Sequence, residues 1–305
     1  MKKHAFLILV HKQPELLGRI LRILSNDNHY FFIHLDKKIE NIDAFKNAVH
    51  GIKNVYFLQN RLKVYHAGVS TLKSVLLLLK EAANNVENFD YYHLISGQDY
   101  PLRSNEQFDD FFERTDHSFM YVDSGEFKQS MISNYNRRIN EYHFNNTSTI
   151  FSKVYEKFRL GKLLAVFLPR KSVPDLVGGW GWFSWNSATT DYVLNYLNKE
   201  PTYLARFNHT ASPDEILFPT LLQLKSEELK IELQNPLRYI SWHPHRPIDT
   251  TYRPFNFNEL DYDFIIDSAA FFCRKVDAVE SATLLDMIDN QRDNEYDINM
   301  HEKYV

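Results

Sequence analysis

Residues 91 to 103 read YYHLISGQDYPLR, and they decide the fold. The first six residues of this stretch are aromatic or aliphatic enough for a buried central strand, and Gly97, Asp99 and Pro101 end that strand within five residues. In α/β proteins, ligands bind outside the carboxyl ends of the strands. A glycine and a carboxylate at such an end are residue types that a nucleotide-sugar site uses, so this turn is the first candidate site.

Strands and helices alternate through the first 120 residues. A buried strand is predicted over residues 5 to 10, a helix begins at Pro14, and a second strand covers residues 30 to 35. Right-handed crossover makes these two strands parallel. Further elements are predicted in chain order as a weak helix near 41–50, a strand at 55–58, a helix from Ser70 to Asn84, a helix from Ser104 to Arg114 with Gln107 at capping-box spacing, and a strand at 118–122. The alternation is typical of a nucleotide-binding α/β half, although neither a G-x-G-x-x-G motif nor a P-loop occurs.

The second half of the chain has a more mixed pattern. Residues 124 to 148 are polar and Asn-rich, and they are expected to form an irregular loop or lid. Asp261-Tyr262-Asp263 is interpreted as a surface turn, and the polar last dozen residues are expected to fray. The remaining elements are predicted as strands near 180–185, 231–234, 238–242 and 263–266, and as helices near 187–198, 213–224 and 278–289.

Composition limits the class of protein. With 305 residues, 44% of them hydrophobic and 15% aromatic, the chain can bury a large core as one domain. A net charge of −4 argues against nucleic acid as a partner, because polyanion binding needs a basic face. Cys273 is the only cysteine, which excludes an intrachain disulfide and favours the cytoplasm. No apolar run approaches the roughly 20 residues that cross a bilayer.

Two carboxylates follow predicted parallel strands: Asp36 after the second strand and Asp99 after the central one. Because the carboxyl ends of parallel strands meet at one edge, each side chain either accepts hydrogen bonds from a ribose or a base, or caps the next turn. A hard cation on a diphosphate needs paired acidic ligands. Gly97-Gln98-Asp99 supplies a single carboxylate and His243-Pro244-His245 lacks a third ligand, so no metal site is expected and the latter is interpreted as a polar loop.

Residues 212 to 215 read SPDE and support two interpretations. As a helix start, Ser212 is the N-cap, Pro213 is the first helical residue and Glu215 completes a capping box. As part of a sugar cleft, the Glu215 carboxylate is a candidate general base. The pattern alone leaves both interpretations open.

Residues 178 to 185 read GGWGWFSW, an unusual density of tryptophan. Indole faces stack on sugar rings, but a strand that packs closely in the core has the same composition. Because side chains alternate along a strand, Trp180, Trp182 and Phe183 cannot share one side, and at least one of them belongs to the core.

Basic residues concentrate in two places of the second half. Arg238, Arg274 and Lys275 lie within or after apolar stretches, where a cation is either a surface residue or a phosphate ligand. Residues 150 to 171 contain six Lys or Arg and a single acid, and Phe151, Val154, Tyr155 and Phe158 among them have helical spacing. Such a helix either lies on an anionic membrane surface or docks on the core as a solvated helix.

Eight ordered motifs resemble those of the core-2/I-branching enzymes, a family that includes peptide O-xylosyltransferases. The resemblance covers roughly residues 5 to 277, and its motifs are HKQPELL at 11–17, FIHLDKK at 32–38, VYHAGVSTLKS at 64–74, LISGQDYPLRS at 94–104, GWFSW at 181–185, SPDE at 212–215, LRYISW at 237–242 and FFCRK at 271–275. The resemblance implies an α/β fold of the GT-A type, a single domain with a Rossmann-like mixed sheet flanked by helices. It further implies inverting sugar transfer from a nucleotide diphosphosugar without a metal ion.

The resemblance also implies roles for individual residues. It places Asp36 and Tyr65 at the nucleoside, Arg238 and Lys275 at the diphosphate, and Glu215 as the general base. Another donor contact is expected from Asp99, and acceptor contacts are expected from Trp180, Trp182, Trp242 and Asp214. On this interpretation residues 1–123 form the nucleotide-binding half, residues 124–290 the acceptor and catalytic half, and residues 291–305 a tail.

The sequence therefore predicts a metal-independent glycosyltransferase that moves GlcNAc or xylose from a UDP-sugar to a glycan or lipid-linked glycan with β linkage. The chain lacks the membrane anchor, stem and disulfide-forming cysteines of the animal members, so a bacterial, cytoplasmic protein is expected, or one that is peripheral on the inner face of the membrane. Two alternatives stay open: a glycan-binding protein without turnover, and a nucleotidyltransferase, which would release pyrophosphate and need Mg²⁺.

Overall fold

A computed structural model of the chain describes residues 1–145, 154–155, 157–242 and 254–303, the residues from 293 onward by their backbone alone. The predicted polar loop His243-Pro244-His245 lies outside the described residues. The strands are β1 (His4–Val10), β2 (His29–Leu35), β3 (Val55–Phe57), β4 (Tyr91–Ser96), β5 (Asp99–Pro101), β6 (Ser118–Val122), β7 (Gly179–Asn186), β8 (Ile231–Glu232), β9 (Arg238–Ile240) and β10 (Phe272–Arg274). The helices are α1 (Pro14–Leu24), α2 (Ile42–Ala48), α3 (Val69–Ala83), α4 (Asn105–Glu113), α5 (Gly125–Asn140), α6 (Leu160–Phe167), α7 (Ser187–Lys199), α8 (Pro201–Ala205), α9 (Asp214–Leu222), α10 (Tyr262–Ile266) and α11 (Ala282–Lys303).

The main sheet has seven strands in the order β3-β2-β1-β4-β7-β6-β8. Strands β1 to β4 pair in parallel, and β7 runs antiparallel to both β4 and β6. A second sheet has three strands in the order β5-β10-β9, with β10 antiparallel to β5 and parallel to β9. The predicted α/β fold, a Rossmann-like mixed sheet flanked by helices, is confirmed.

Strand β1 shows how the main sheet divides the core. Ala5 and Leu7 pack with residues of α3, α7 and α9, whereas Phe6 and Ile8 pack with residues of α1, α4 and α11. Successive side chains of a strand point to opposite faces, so a strand that is covered on both faces needs apolar residues at every position. The continuous apolar runs of β1, β2 and β4 therefore belong to the covered centre of the sheet.

Local chemistry starts two of the flanking helices as the sequence predicts. Helix α1 begins at Pro14, where the fixed φ of proline suits the first helical position and its missing N–H costs no hydrogen bond. Helix α4 begins with a complete capping box, in which the Ser104 hydroxyl accepts from the Gln107 N–H and the Gln107 side chain accepts from the Ser104 N–H.

The structure corrects several sequence-based expectations. Residues 125 to 140 form helix α5 instead of a loop, and the helix was missed because only Tyr135 and Ile139 in it are buried, too few for a periodic signal. Residues 262 to 266 form helix α10 instead of a strand, since a short apolar run fits either element. Asp261 is the buried last residue of a short 3-10 helix, where it completes a capping box with Asn258, so it is not part of a surface turn.

The pairing that forms the second sheet was also missed. Residues 99 to 101 were expected to be a turn, but they form β5, which pairs with the unpredicted strand β10. The chain from Ala282 to Lys303 is one helix, which extends well beyond the helix predicted near 278–289. Within the described part of the chain, no helix combines the length and the apolar character that crossing a membrane requires.

Candidate active site

A pocket of about 400 Å³ opens at the carboxyl ends of β1, β2 and β4. It is lined by Val10 and Ser96, the last residues of β1 and β4, and by Asp36, the residue that follows β2. Because β2 and β4 lie on opposite sides of β1, the strand order changes direction here. Crevices at such switch points are where open α/β sheets bind their ligands.

Asp36 forms one wall of this pocket and is itself almost fully buried. Its Oδ1 accepts the N–H of Lys38 at 2.9 Å and that of Val64 at 3.3 Å, so the turn-capping interpretation is confirmed. The Lys38 ammonium lies 3.3 Å from Asp36 Oδ2 and 5.2 Å from the centre of the Tyr65 ring. Val64 and His66 line the pocket on either side of Tyr65, whereas the half-buried Tyr65 does not. Roles for Asp36 and Tyr65 at a nucleoside stay predictions.

Asp99 is not among the residues that line the pocket, and its predicted donor contact stays a prediction. Its Oδ2 accepts the Ser96 N–H at 2.8 Å and the Arg274 guanidinium at 2.6 Å, and its side chain is fully buried. The antiparallel register of β5 and β10 sets Arg274 directly opposite Asp99. The guanidinium also lies 4.0 Å from the centre of the Trp182 ring, a cation–π contact. Asp99 and Trp182 therefore fix Arg274 in the pocket wall. The sequence had allowed either a surface residue or a phosphate ligand at this position.

Arg238 does not reach the pocket either, although it was predicted at the diphosphate. Its buried guanidinium donates to the carbonyl oxygens of Leu94 at 2.9 Å and Phe183 at 2.6 Å, between β4 and β7. Burial lowers the pKa of Arg238 to about 10. Arg274 and Lys275, in contrast, both line the pocket.

The SPDE segment contributes Ser212, Asp214 and Glu215 to the pocket wall and does not make the predicted capping box. Ser212 has a φ of 42°, and its N–H donates to Ala67 O at 2.8 Å, while helix α9 begins only at Asp214 without a side-chain cap. The Glu215 carboxylate instead accepts from Arg138 Nη2 at 2.9 Å. Arg138 also donates to the carbonyl oxygens of Ala211 at 2.9 Å and Ser212 at 2.7 Å, so it holds the turn and its carboxylate together.

Sequence reasoning missed Arg138 because residues 124 to 148 were expected to be a loop. The signal that could have found it is weak: Tyr135 and Ile139 are spaced i, i+4, which places Arg138 beside one buried face of a helix.

Asp214 and Glu215 both line the pocket, and burial raises the pKa of both carboxyl groups. The neighbouring Glu215 charge raises the pKa of Asp214 further, whereas Arg138 lowers the pKa of Glu215. The Asp214 carboxylate lies directly against the β7 backbone, because a Cβ at Gly181 would stand 2.6 Å from Asp214 Oδ2. Glycine at this position is therefore what allows Asp214 to approach the strand.

The tryptophans predicted to contact an acceptor lie in different environments. Trp182 lines the pocket under Arg274, whereas Trp180 packs on Tyr121 with ring centres 4.7 Å apart and does not line it. Trp242 is 45% exposed and also lies outside the lining. Phe183 is buried against Trp185, which confirms that part of this strand belongs to the core.

Histidines were not among the predicted site residues, yet His11, His34 and His66 line the pocket. Burial lowers the pKa of His11 and His34, which favours neutral imidazoles there. His34 Nε2 accepts the Leu62 N–H at 2.9 Å and thereby supports the turn beside Asp36.

Among the described residues, one group of side chains has metal-ligand spacing: His4, His29 and Asp109, whose ligand atoms lie within 4.8 Å of one another. His4 and His29 begin β1 and β2, so the group lies at the edge of the sheet opposite the pocket. His29 Nε2 is 2.8 Å from Asp109 Oδ1, and its Nδ1 lies 2.6 Å from Leu24 O, so the ring is already held by hydrogen bonds.

Comparison with known proteins gives a family match. The model of the family described as Core-2/I-Branching enzyme matches residues 4–265. Xylosyltransferase 2 of Rattus norvegicus is 23% identical over 302 residues, which cover 93% of this chain and 33% of that protein. Beta-1,3-galactosyl-O-glycosyl-glycoprotein beta-1,6-N-acetylglucosaminyltransferase 4 of Danio rerio is 24% identical over 250 residues, 78% of this chain and 56% of that protein. The chain thus spans about a third of the length of the xylosyltransferases it matches.

Two solved structures are more distantly similar. Mouse xyloside xylosyltransferase 1, in its apo form, has a TM-score of 0.39 and 10% identity, and the match covers 79% of this chain and 89% of that one. S. aureus TarS in complex with UDP-GlcNAc has a TM-score of 0.29 and 13% identity, over 40% of this chain and 35% of that one.

Proposed function

The chain belongs to the core-2/I-branching enzyme family, and on that premise we propose that it is an inverting glycosyltransferase. It moves a sugar, GlcNAc or xylose, from a UDP-sugar to a hydroxyl group of a glycan acceptor and forms a β linkage. The named relatives transfer xylose or N-acetylglucosamine, which supports these two sugars as the first donors to test.

The observation that carries the proposal is the Glu215 carboxylate in the pocket wall. Its side chain is 40% exposed, Arg138 fixes its orientation, and burial raises its pKa towards the range in which a carboxylate accepts protons efficiently. In a single displacement, the acceptor oxygen attacks the anomeric carbon while its proton passes to Glu215. The bond between that carbon and the UDP oxygen breaks, so the configuration inverts and no protein nucleophile is needed.

The leaving group acquires negative charge as its bond to the sugar breaks. Arg274 and Lys275 line the same pocket as Glu215 and are the residues proposed to bind the diphosphate. Asp99 and Trp182 hold the Arg274 guanidinium in advance, so little reorganisation is needed when the charge develops. Arg274 thereby takes the role that the sequence had assigned to Arg238.

Asp36, which lines the pocket, and Tyr65, whose neighbours Val64 and His66 line it, remain the proposed nucleoside contacts. Asp214 and Trp182 line the same pocket as Glu215 and are the proposed acceptor contacts. Metal independence is part of the proposal, since two cationic side chains can stabilise the leaving UDP in place of a divalent ion.

The test is release of UDP from a panel of UDP-sugars in the presence of a glycan acceptor, measured with and without excess EDTA. We expect UDP release with UDP-GlcNAc or UDP-xylose, undiminished by EDTA, and a β-linked product by NMR. A glycan-binding protein would bind the acceptor and release no UDP, and a nucleotidyltransferase would release pyrophosphate and require Mg²⁺. Loss of turnover in EDTA that Mn²⁺ restores would refute metal independence alone.

A further inference from the structure

Helix α6 exposes an unusual amount of apolar surface. We call its exposed apolar side chains and the residue that follows the helix the α6 patch: Leu160, Leu163, Val166, Phe167 and Leu168. Val166 is 71% exposed and Phe167 is 73% exposed, and Gly161 is the only buried residue of the helix. Water-facing apolar side chains that adjoin one another in this way mark an interaction surface.

The helix is anchored to the rest of the protein with the α6 patch facing outward. A Cβ at Gly161 would stand 2.1 Å from Tyr142 O, so the helix backbone rests directly on Tyr142. The Tyr142 N–H donates to Gly161 O at 3.3 Å, and the Tyr142 hydroxyl donates to Leu168 O at 3.2 Å. Arg170 lies 5.1 Å from the centre of the Tyr142 ring and donates to Glu141 O at 2.8 Å. The exposure therefore belongs to a helix that is held at both ends.

Basic side chains lie within and on both sides of the α6 patch along the chain. Lys157, Arg159, Lys162 and Lys171 are exposed, and no Asp or Glu occurs between residues 157 and 174, although the whole chain has a net charge of −4. An exposed apolar helix surface with cations close by in the chain complements the acyl chains and headgroups of an anionic bilayer. Each Lys or Arg near such a surface adds about 1 kcal/mol, or roughly fivefold in affinity.

We propose that the α6 patch and the four basic residues around it dock the protein onto an anionic membrane surface. The helix has eight residues, a length of about 12 Å, so it lies in the interface and does not span the bilayer. A second copy of the chain fits less well, because a two-fold axis would set this basic surface against itself, where like charges repel.

Along the chain, the α6 patch lies close to segments that contact the pocket wall. Tyr142, which carries α6, follows the helix that supplies Arg138, and Asn145 Nδ2 donates to Ala67 O at 3.2 Å in the pocket wall. If the proposed function holds, this arrangement suits an acceptor whose glycan is attached to a lipid. Membrane docking itself does not depend on catalysis.

The structure shows this apolar surface on different residues from those that the sequence predicted. The predicted amphipathic set included Phe151, which lies outside the described residues, and Tyr155, whose ring packs on Phe144 with centres 4.8 Å apart. Val154 and Phe158 are exposed, but most of the exposed apolar side chains between residues 154 and 168 belong to α6.

The experiment is flotation of the purified protein with vesicles of phosphatidylcholine alone or mixed with phosphatidylglycerol. The wild type is expected to bind the mixed vesicles at least about tenfold better than the neutral ones, and high salt should weaken binding. Phe167→Glu should reduce binding by about tenfold or more, since it places a negative charge in the apolar contact. Lys162→Gln should reduce it about fivefold.

Leu224→Glu is the matched control, because Leu224 is 69% exposed on another element and the charge change is the same. It should bind vesicles like the wild type. Equal binding to neutral and mixed vesicles, equal binding by Phe167→Glu, or a dimer in solution that Phe167→Glu disrupts would each overturn the proposal. UDP release with a soluble acceptor should be unchanged in Phe167→Glu, so a failure of docking is distinguishable from a failure of the proposed function.

Discussion

Two carboxylate–arginine pairs each contribute one residue to the pocket lining, and the pairs differ in which partner solvent can reach. In the Asp99–Arg274 pair the atoms are 2.6 Å apart, and the carboxylate is fully buried while 12% of the arginine is exposed. In the Glu215–Arg138 pair the atoms are 2.9 Å apart, and the arginine is again 12% exposed, but the carboxylate is 40% exposed. One pair presents its cation to the pocket, and the other presents its anion.

The difference shows how the same chemical pair serves two purposes. A buried carboxylate with an arginine across it acts as a support, because the charge of Asp99 holds Arg274 where a diphosphate would bind. A carboxylate that is partly open can exchange protons with a substrate, and its arginine then sets its orientation and lowers its pKa. Breaking the first pair should therefore affect stability most, and breaking the second should affect chemistry most.

The largest effect is expected from Glu215→Gln. The amide keeps the size of the side chain and an acceptor for Arg138, but it cannot take a proton, so turnover should fall by roughly 10²- to 10⁴-fold. Donor binding and the thermal midpoint should remain near those of the wild type. Glu228→Gln is a matched control on an exposed pair with Lys225. Wild-type turnover in Glu215→Gln would show that another group is the base, with Asp214 the next candidate.

The other pair is tested by Asp99→Asn. This change leaves the Arg274 guanidinium without its buried counter-charge, and the free energy of unfolding should fall by about 3–5 kcal/mol. Chemical denaturation measures it directly. Asp116→Asn serves as the control, because Asp116 and Lys230 are 65% and 56% exposed and the loss of such an exposed pair should change stability little. Equal stability losses in the two variants would mean that Asp99 gives Arg274 no special support.

A smaller effect is expected from Lys275→Ala. Loss of one charge-assisted contact to the diphosphate should lower kcat/KM by about 10- to 100-fold and weaken UDP binding, with little change in stability. Arg238→Ala should show the reverse, a loss of stability, because its guanidinium joins β4 and β7 through backbone carbonyl oxygens. If Arg238→Ala weakens UDP binding while it leaves stability intact, the diphosphate role first assigned to Arg238 is the better one.

The smallest change is a shift in pH dependence. Glu215 must be ionised to act as a base, and burial raises its pKa, so the activity of the wild type should fall on the acidic side at a higher pH than for an ordinary glutamate. Arg138 opposes this rise, and Arg138→Gln should therefore move the acidic limb of kcat/KM to higher pH. A limb that stays in place or moves downward would contradict the assignment of that limb to Glu215.

The central strands and the carboxyl edge could be predicted because their cause is local. A strand that is covered on both faces is apolar at nearly every position, and this pattern alone predicts β1, β2 and β4. The polar residues that follow these strands then mark the edge, as Asp36 does. The capping box at Ser104 is local in the same sense, since its two partners are three residues apart.

Which arginine faces the pocket could not be predicted from the sequence. In the parallel register of β9 and β10, Arg238 lies opposite Phe272 and Arg274 lies opposite Ile240, so the two arginines are two positions apart on one ladder. Local composition treats them alike. The antiparallel pairing of β10 with β5 separates them, because it sets Arg274 against Asp99, and the two strands are 175 residues apart in that pair.

The sequence by itself determined where the covered strands lie along the chain and at which edge of the sheet the pocket opens. Through its motifs it also determined the family. Only the tertiary structure decided that Asp99 supports Arg274, that Arg138 holds Glu215, and that α6 turns its apolar residues outward. The physical reason is the range of the interactions. Strand burial and helix caps depend on neighbours within a few residues, whereas these pairs and this exposure depend on contacts between segments that only the complete fold brings together.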